Sequence, residues 1–72
     1  MATDVMTEVP GNVWKVLVKP GDQVKAGDVL FILEVMKTEV PHTAPRDGTV
    51  SGVSISEGQE GVDAGVVAVT LG

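Results

Sequence analysis

The sequence predicts an all-β domain, an antiparallel sandwich or flattened barrel of two sheets related by a pseudo-two-fold axis. Three observations carry this. Valine-rich runs alternate with Gly and Pro turn signals along the whole chain. No window keeps an apolar helical stripe for three turns before Gly or Pro interrupts it. And the chain repeats itself. The first half reads Val13-x-x-Val16-x-Val18-x-x-Gly21 and then Val24-x-x-Gly27, and the second reads Val50-x-x-Val53-x-Ile55-x-x-Gly58 and then Val62-x-x-Gly65. The offset is 37 residues up to the first glycine (21 to 58) and 38 afterwards (24 to 62), so the second copy carries one inserted residue at Gly61 or a neighbour. The copies cover about residues 13–34 and 50–71 of one domain spanning 1–72.

The elements follow in order. Strands are expected at Asp4 to Glu8, Val13 to Lys19, Val29 to Val35, Thr38 to His42, Thr49 to Ser56 and Val66 to Leu71, with short pieces near Gln23-Val24 and Gly61-Val62. Turns separate them at Pro10-Gly11-Asn12, Pro20-Gly21-Asp22, Ala26-Gly27-Asp28, Arg46-Asp47-Gly48 and Glu57-Gly58-Gln59. The step from Val13 to Val16 is odd and breaks strict alternation. Val50 to Val53 breaks it at the same place, so each copy should hold a β-bulge. Trp14 then corresponds to Ser51, which argues against deep burial. It reads either as a surface tryptophan at the edge of the core or as a docking anchor.

Seventy-two residues make one small domain with an expected radius of gyration of roughly 11 Å. A core of this size rarely supplies more than about 3–5 kcal/mol without staples, and the chain has no cysteine to provide a disulfide or a thiolate metal site. Packing rests on aliphatic side chains, 43% of residues being hydrophobic with one Phe and one Trp. No signal-peptide pattern opens the chain, and the apolar run Val29–Leu33 is too short to cross a membrane. A soluble, cytoplasmic protein is expected. A net charge of −5 with five scattered basic residues excludes a nucleic-acid footprint. His42, the one histidine, lacks partners at metal-ligand spacing and is expected to decorate the strand leaving the central hairpin. Gly21, Gly27, Gly58 and Gly65 are turn glycines, and no phosphate-loop run is present.

The chemistry concentrates at Lys37. Met36 and Lys37 fall at the tip of a two-residue hairpin between Val29–Val35 and Thr38–His42. Such turns need positive φ and favour Asn or Gly, so Met-Lys there breaks a local rule, and such breaks tend to mark function. Glu34 and Glu39 flank the tip. They are either solvated strand carboxylates or groups that a partner recognises. No second acid or base completes a catalytic set.

Glu34-Val35-Met36-Lys37-Thr38-Glu39 resembles the Glu-Ala/Ser-Met-Lys-Met-Glu motif of biotinyl (biotin carboxyl carrier) domains, within the biotinyl/lipoyl attachment family. Val18-x-x-Gly21-Asp22-x-Val24-x-x-Gly27-Asp28-x-Leu30 looks like the family's upstream hallmark, and Asp47-Gly48-x-Val50 its downstream one. The likeness runs from about Val9 to Leu71. It implies two antiparallel four-stranded sheets and covalent biotin on Lys37, joined by a biotin protein ligase through an activated adenylate. It also implies transfer of a carboxyl group between biotin carboxylase and carboxyltransferase subunits. Val35, Met36 and Thr38 would be read by the modifying enzyme, with Glu34 and Glu39 as possible partner contacts. The related lipoyl domains usually carry Asp-Lys-Ala at this point, so Met36 favours biotin over lipoate. Val35 stands where the motif has Ala or Ser, and Thr38 where it has a second Met. The chain starts almost at the first strand, so a free-standing subunit or an excised domain is expected.

Three functions remain to be separated: a biotin carrier, a lipoyl carrier, and an unmodified interaction module that docks through the hairpin. A stand-alone enzyme is disfavoured by the lack of cysteine and tyrosine, and by a chain too small to enclose a ligand pocket.

Overall fold

The computed structural model describes residues 2–72, which form seven strands and no helix. They are β1 (Thr3–Met6), β2 (Asn12–Val16), β3 (Gln23–Val24), β4 (Val29–Val35), β5 (Thr38–Thr43), β6 (Gly48–Val53) and β7 (Val67–Leu71). All pairings are antiparallel. One sheet has the order β1-β7-β6-β3 and the other β2-β4-β5. The fourth place in the second sheet is held by a single bridge between Gly11 and Val62. That is where the repeat puts the counterpart of the β3–β6 pair Val24–Gly48.

The pseudo-two-fold is visible in individual hydrogen bonds. Gly21 N–H donates to Val50 O and Gly58 N–H to Val13 O; Val50 N–H donates to Asp22 O and Val13 N–H to Gln59 O. Gly27 N–H to Ala44 O is matched by Gly65 N–H to Thr7 O. The predicted bulges are present: the register slips between Val13 and Lys15, and between Val50 and Gly52, leaving Trp14 and Ser51 as the extra residues. The inserted residue of the second copy falls before Val62, where Gly61 has a φ of 67°.

Three strands stop short of their expected ends, β2 and β6 for a local reason and β1 for a long-range one. Past β2, the Lys19 N–H is taken by the Asp22 carboxylate at 3.0 Å; past β6, the Ser56 N–H is taken by Gln59 Oε1 at 3.1 Å. A side chain that bonds nearby backbone competes with the ladder and turns the chain. β1 ends at Met6 because Thr7 swings its hydroxyl to Asp63 O and accepts the Val66 N–H.

The core lies between the sheets. Leu30, Phe31, Leu33, Ala68, Val69 and Leu71 have no exposed surface. They are three symmetry pairs (30/68, 31/69, 33/71), so each copy contributes the same stretch of strand to one interior. The radius of gyration is 11.1 Å, and the body is elongated at 33 × 18 × 17 Å. Arg46, just beyond the end of β5, donates through Nε to Thr3 Oγ1 and through Nη2 to the carbonyls of Leu71 and Gly72. Thr3 and Gly72 therefore both sit at the base of the β4–β5 hairpin, and its turn projects from the opposite end.

Candidate functional site

The β4–β5 ladder runs to the very end of the hairpin: Leu33 pairs with Val40, Glu34 with Glu39 and Val35 with Thr38. Only Met36 and Lys37 remain for the turn. Both adopt left-handed backbone, with φ of 50° and 66°. That is the primed geometry a two-residue hairpin requires, held here by residues without the glycine or asparagine preference, at a cost of about 1–2 kcal/mol each. The ladder on both sides over-determines the turn and keeps it in this strained state. Met36 is 93% exposed, and Lys37, Thr38 and Glu39 are exposed with it. The ion pair found among the described residues is Lys19–Asp22, so the Lys37 amine is not tied to a carboxylate.

Glu34 is half-buried and Glu39 exposed, directly opposite each other across the strands. Like charges in that arrangement work against pairing, so neither is there to hold the hairpin together. Val35 is also half-buried. Its Cγ2 lies 2.9 Å from where a Cβ on Gly11 would stand, and Glu34 O only 2.7 Å from it. The hairpin's last strand pair thus rests directly on the backbone of Gly11, and only glycine fits beneath it.

His42 corrects an expectation. It does not decorate the strand but is buried at 4% exposure, with its ring stacked on Phe31 at a centroid distance of 4.5 Å. Glu8 N–H donates to its Nε2 at 3.0 Å, and its Nδ1 lies 3.2 Å from Val40 O. The signal was in the alternation of β5: Val40, His42 and Ala44 share the inner face while Glu39, Pro41 and Thr43 point outward. Trp14 is half-exposed at its bulge, with Lys15 Nζ 5.6 Å from the ring centroid.

No cluster of His, Asp or Glu able to hold a metal is present among the described residues. Two open depressions, of about 420 and 440 Å³, are lined by the β3 region and by none of the residues of the Met36-Lys37 turn. What the arrangement supplies is a solvent-exposed primary amine on a rigid post.

Comparison with known proteins identifies the family and the fold. The family model described as "Biotin-requiring enzyme" matches residues 1–71. The chain is 50% identical over 58 residues to the biotinylated protein TB7.3 homolog of Mycobacterium leprae, covering 81% of this chain and 82% of that protein. It is 48% identical over 54 residues to the biotin/lipoyl attachment protein of Bacillus subtilis, covering 75% and 74%. The biotin carboxyl carrier protein of Streptococcus mutans is 41% identical over 70 residues, or 97% of this chain and 53% of that one. Among solved structures, the urea carboxylase of Kluyveromyces lactis superposes with a TM-score of 0.90 at 33% identity. That match covers all of this chain and 6% of the urea carboxylase.

Proposed function

This chain belongs to the biotin/lipoyl attachment family of biotin-requiring enzymes and is a biotin carboxyl carrier domain; from that premise we propose that Lys37 is the residue that takes the biotin. The observation that carries the assignment is the turn itself. Lys37 combines a projecting position, freedom from ion pairing and a φ of 66° that points to functional strain. Lys15, Lys19 and Lys25 all lie outside the hairpin.

The site fits the group. Acylation needs a primary amine that is exposed and held in one place, and the β4–β5 ladder provides that up to its last pair. The amide formed at Nζ removes one positive charge, taking the formal net charge from −5 to −6. Biotin, once attached, supplies the ring that carries a carboxyl group. The chain's own residues supply reach and recognition. The ladder and Gly11 fix the direction of the post, while Val35, Met36 and Thr38 present the surface that a biotin protein ligase reads. Glu34 and Glu39 remain free for basic groups on the ligase or on the carboxylase and carboxyltransferase subunits. Tethering raises the local concentration of the carried group at each site, so the domain needs no catalytic residue of its own.

Intact mass of the chain made alongside an active biotin ligase tests this. A biotin-sized gain supports it; a lipoyl-sized gain or no gain overturns it. Lys37→Arg keeps the charge but removes the acylable amine. It should abolish streptavidin binding while stability changes by less than about 0.5 kcal/mol, as for other surface substitutions. Biotin retained on the variant would place the handle on another lysine.

A further inference from the structure

His42 occupies a core position that the second copy fills differently. Phe31 pairs with His42 across β4 and β5, and the symmetry-related pair in β7 and β1 is Val69 with Val5. An imidazole buried in place of an aliphatic side chain is tolerated only if its nitrogens are bonded, and here both are. The polarity of those bonds is decisive. A backbone N–H only donates, so Nε2 accepts from Glu8, and Nδ1 must carry the proton toward Val40 O. One neutral tautomer satisfies both partners. A second proton, on Nε2, would set two donors against each other and break the link to Glu8.

That link joins residues 34 positions apart. It ties the segment 7–11, between β1 and β2, to the strand that leaves the Lys37 turn. The far end of the same segment is Gly11, whose backbone supports Glu34 and Val35. His42 therefore grips one end of a strap whose other end bears on the last strand pair before the turn.

We propose that His42 is a positioning residue for the Lys37 hairpin: its neutral ring holds the 7–11 strap against β5, and protonation releases it. The functional half of this rests on Lys37 being the acceptor. The ionisable groups on the elements around the ring are Glu8 on the strap, Asp63 in the loop bonded to Thr7, Glu34 on β4 and Glu39 on β5, with Lys15 on neighbouring β2. None of their side chains hydrogen-bonds the ring. A protonated Nε2 has no lone pair left to accept the Glu8 N–H, so the grip is present while His42 is neutral and is lost when the ring is protonated.

The test is nuclear magnetic resonance on the isotopically labelled chain. Ring nitrogen shifts at neutral pH should show the Nδ1–H tautomer. Exchange protection of the Glu8 amide, corrected for intrinsic rates, should fall roughly tenfold across the ring's own titration, the scale of one net hydrogen bond. In His42→Gln the side-chain amide offers an acceptor to Glu8 and a donor to Val40 at every pH, so protection should stay flat. His42→Val, which copies Val5, should fold but leave the Glu8 amide weakly protected throughout. The initial rate of biotin transfer to Lys37, as the ratio of the parent to His42→Gln at each pH, cancels the ligase's own pH dependence and should fall severalfold as the ring protonates. An Nε2–H tautomer, or Glu8 protection unchanged through the titration, would overturn the grip. A constant rate ratio would overturn its effect on the hairpin. Absence of biotin on either protein would instead sink the Lys37 assignment, leaving the exchange data to decide the grip alone.

Discussion

Gly11 shows how much a single absent side chain decides. A Cβ there would stand 2.7 Å from Glu34 O and 2.9 Å from Val35 Cγ2, and the first of these is backbone that cannot rotate away. Gly11→Ala should cost about 1–3 kcal/mol, the range for overpacking, read as a lower urea midpoint with an unchanged slope. Gly52→Ala is the control, since a Cβ at Gly52 has open space around it. The contact also explains Val35: its bulk rests on a position that has none. Replacing the pair with the motif residues, Val35→Ala with Thr38→Met, should leave the fold intact and speed labelling by a biotin ligase from another species. Equal initial labelling rates would show the two departures to be neutral.

At the scale of the element, the hairpin is stiff where it is paired and strained where it turns. Met36 has a positive φ and 93% exposure, so it contributes no packing that would offset its backbone cost. Asparagine tolerates that conformation. Met36→Asn should therefore stabilise the domain by about 1 kcal/mol, a rise in Tm of about 4–8 °C for a domain of this size. On the proposal that a ligase reads the exposed methionine, it should also slow biotin transfer. A variant that is more stable and labels equally well would separate the strain from the function. The bulges belong at this scale too. Each adds one residue to a strand, and because that residue is left unpaired, the chain accommodates Trp14 in one copy and Ser51 in the other without altering the core.

Across the whole molecule, one interior serves both halves. Leu33 and Leu71 are symmetry mates, both without exposed surface. Each lies on a central strand, β4 or β7. Leu33→Ala and Leu71→Ala should each cost about 2–5 kcal/mol. Against the roughly 3–5 kcal/mol available to a core of this size, either change should leave much of the chain unfolded. Circular dichroism during urea titration should show a single transition lost from both sheets together. Loss of one half with the other retained would mean that the copies fold independently. The same symmetry separates the working end from the termini: the turn that closes β4–β5 corresponds to the open gap between β7 and β1, where the chain begins and ends.

Much of this was legible in the sequence because it is written in short-range or repeated pattern. The 37- and 38-residue offsets predicted the pseudo-two-fold, the odd valine steps predicted both bulges, and the Met36-Lys37 step between two apolar runs predicted an exposed lysine on a strained turn. Each of these depends on backbone geometry within a few residues, or on a comparison of the chain with itself. Tertiary structure decided the remainder. Where β1 ends depends on Thr7 bonding to Asp63 and Val66, more than fifty positions away. That His42 is buried follows from which face of β5 meets the core. Its bond to Glu8 and the seating of Gly11 under Glu34 and Val35 join residues more than twenty positions apart. Neither contact leaves a mark on local propensity, because a hydrogen bond or a missing Cβ acquires its energy only when folding brings its distant partner within reach.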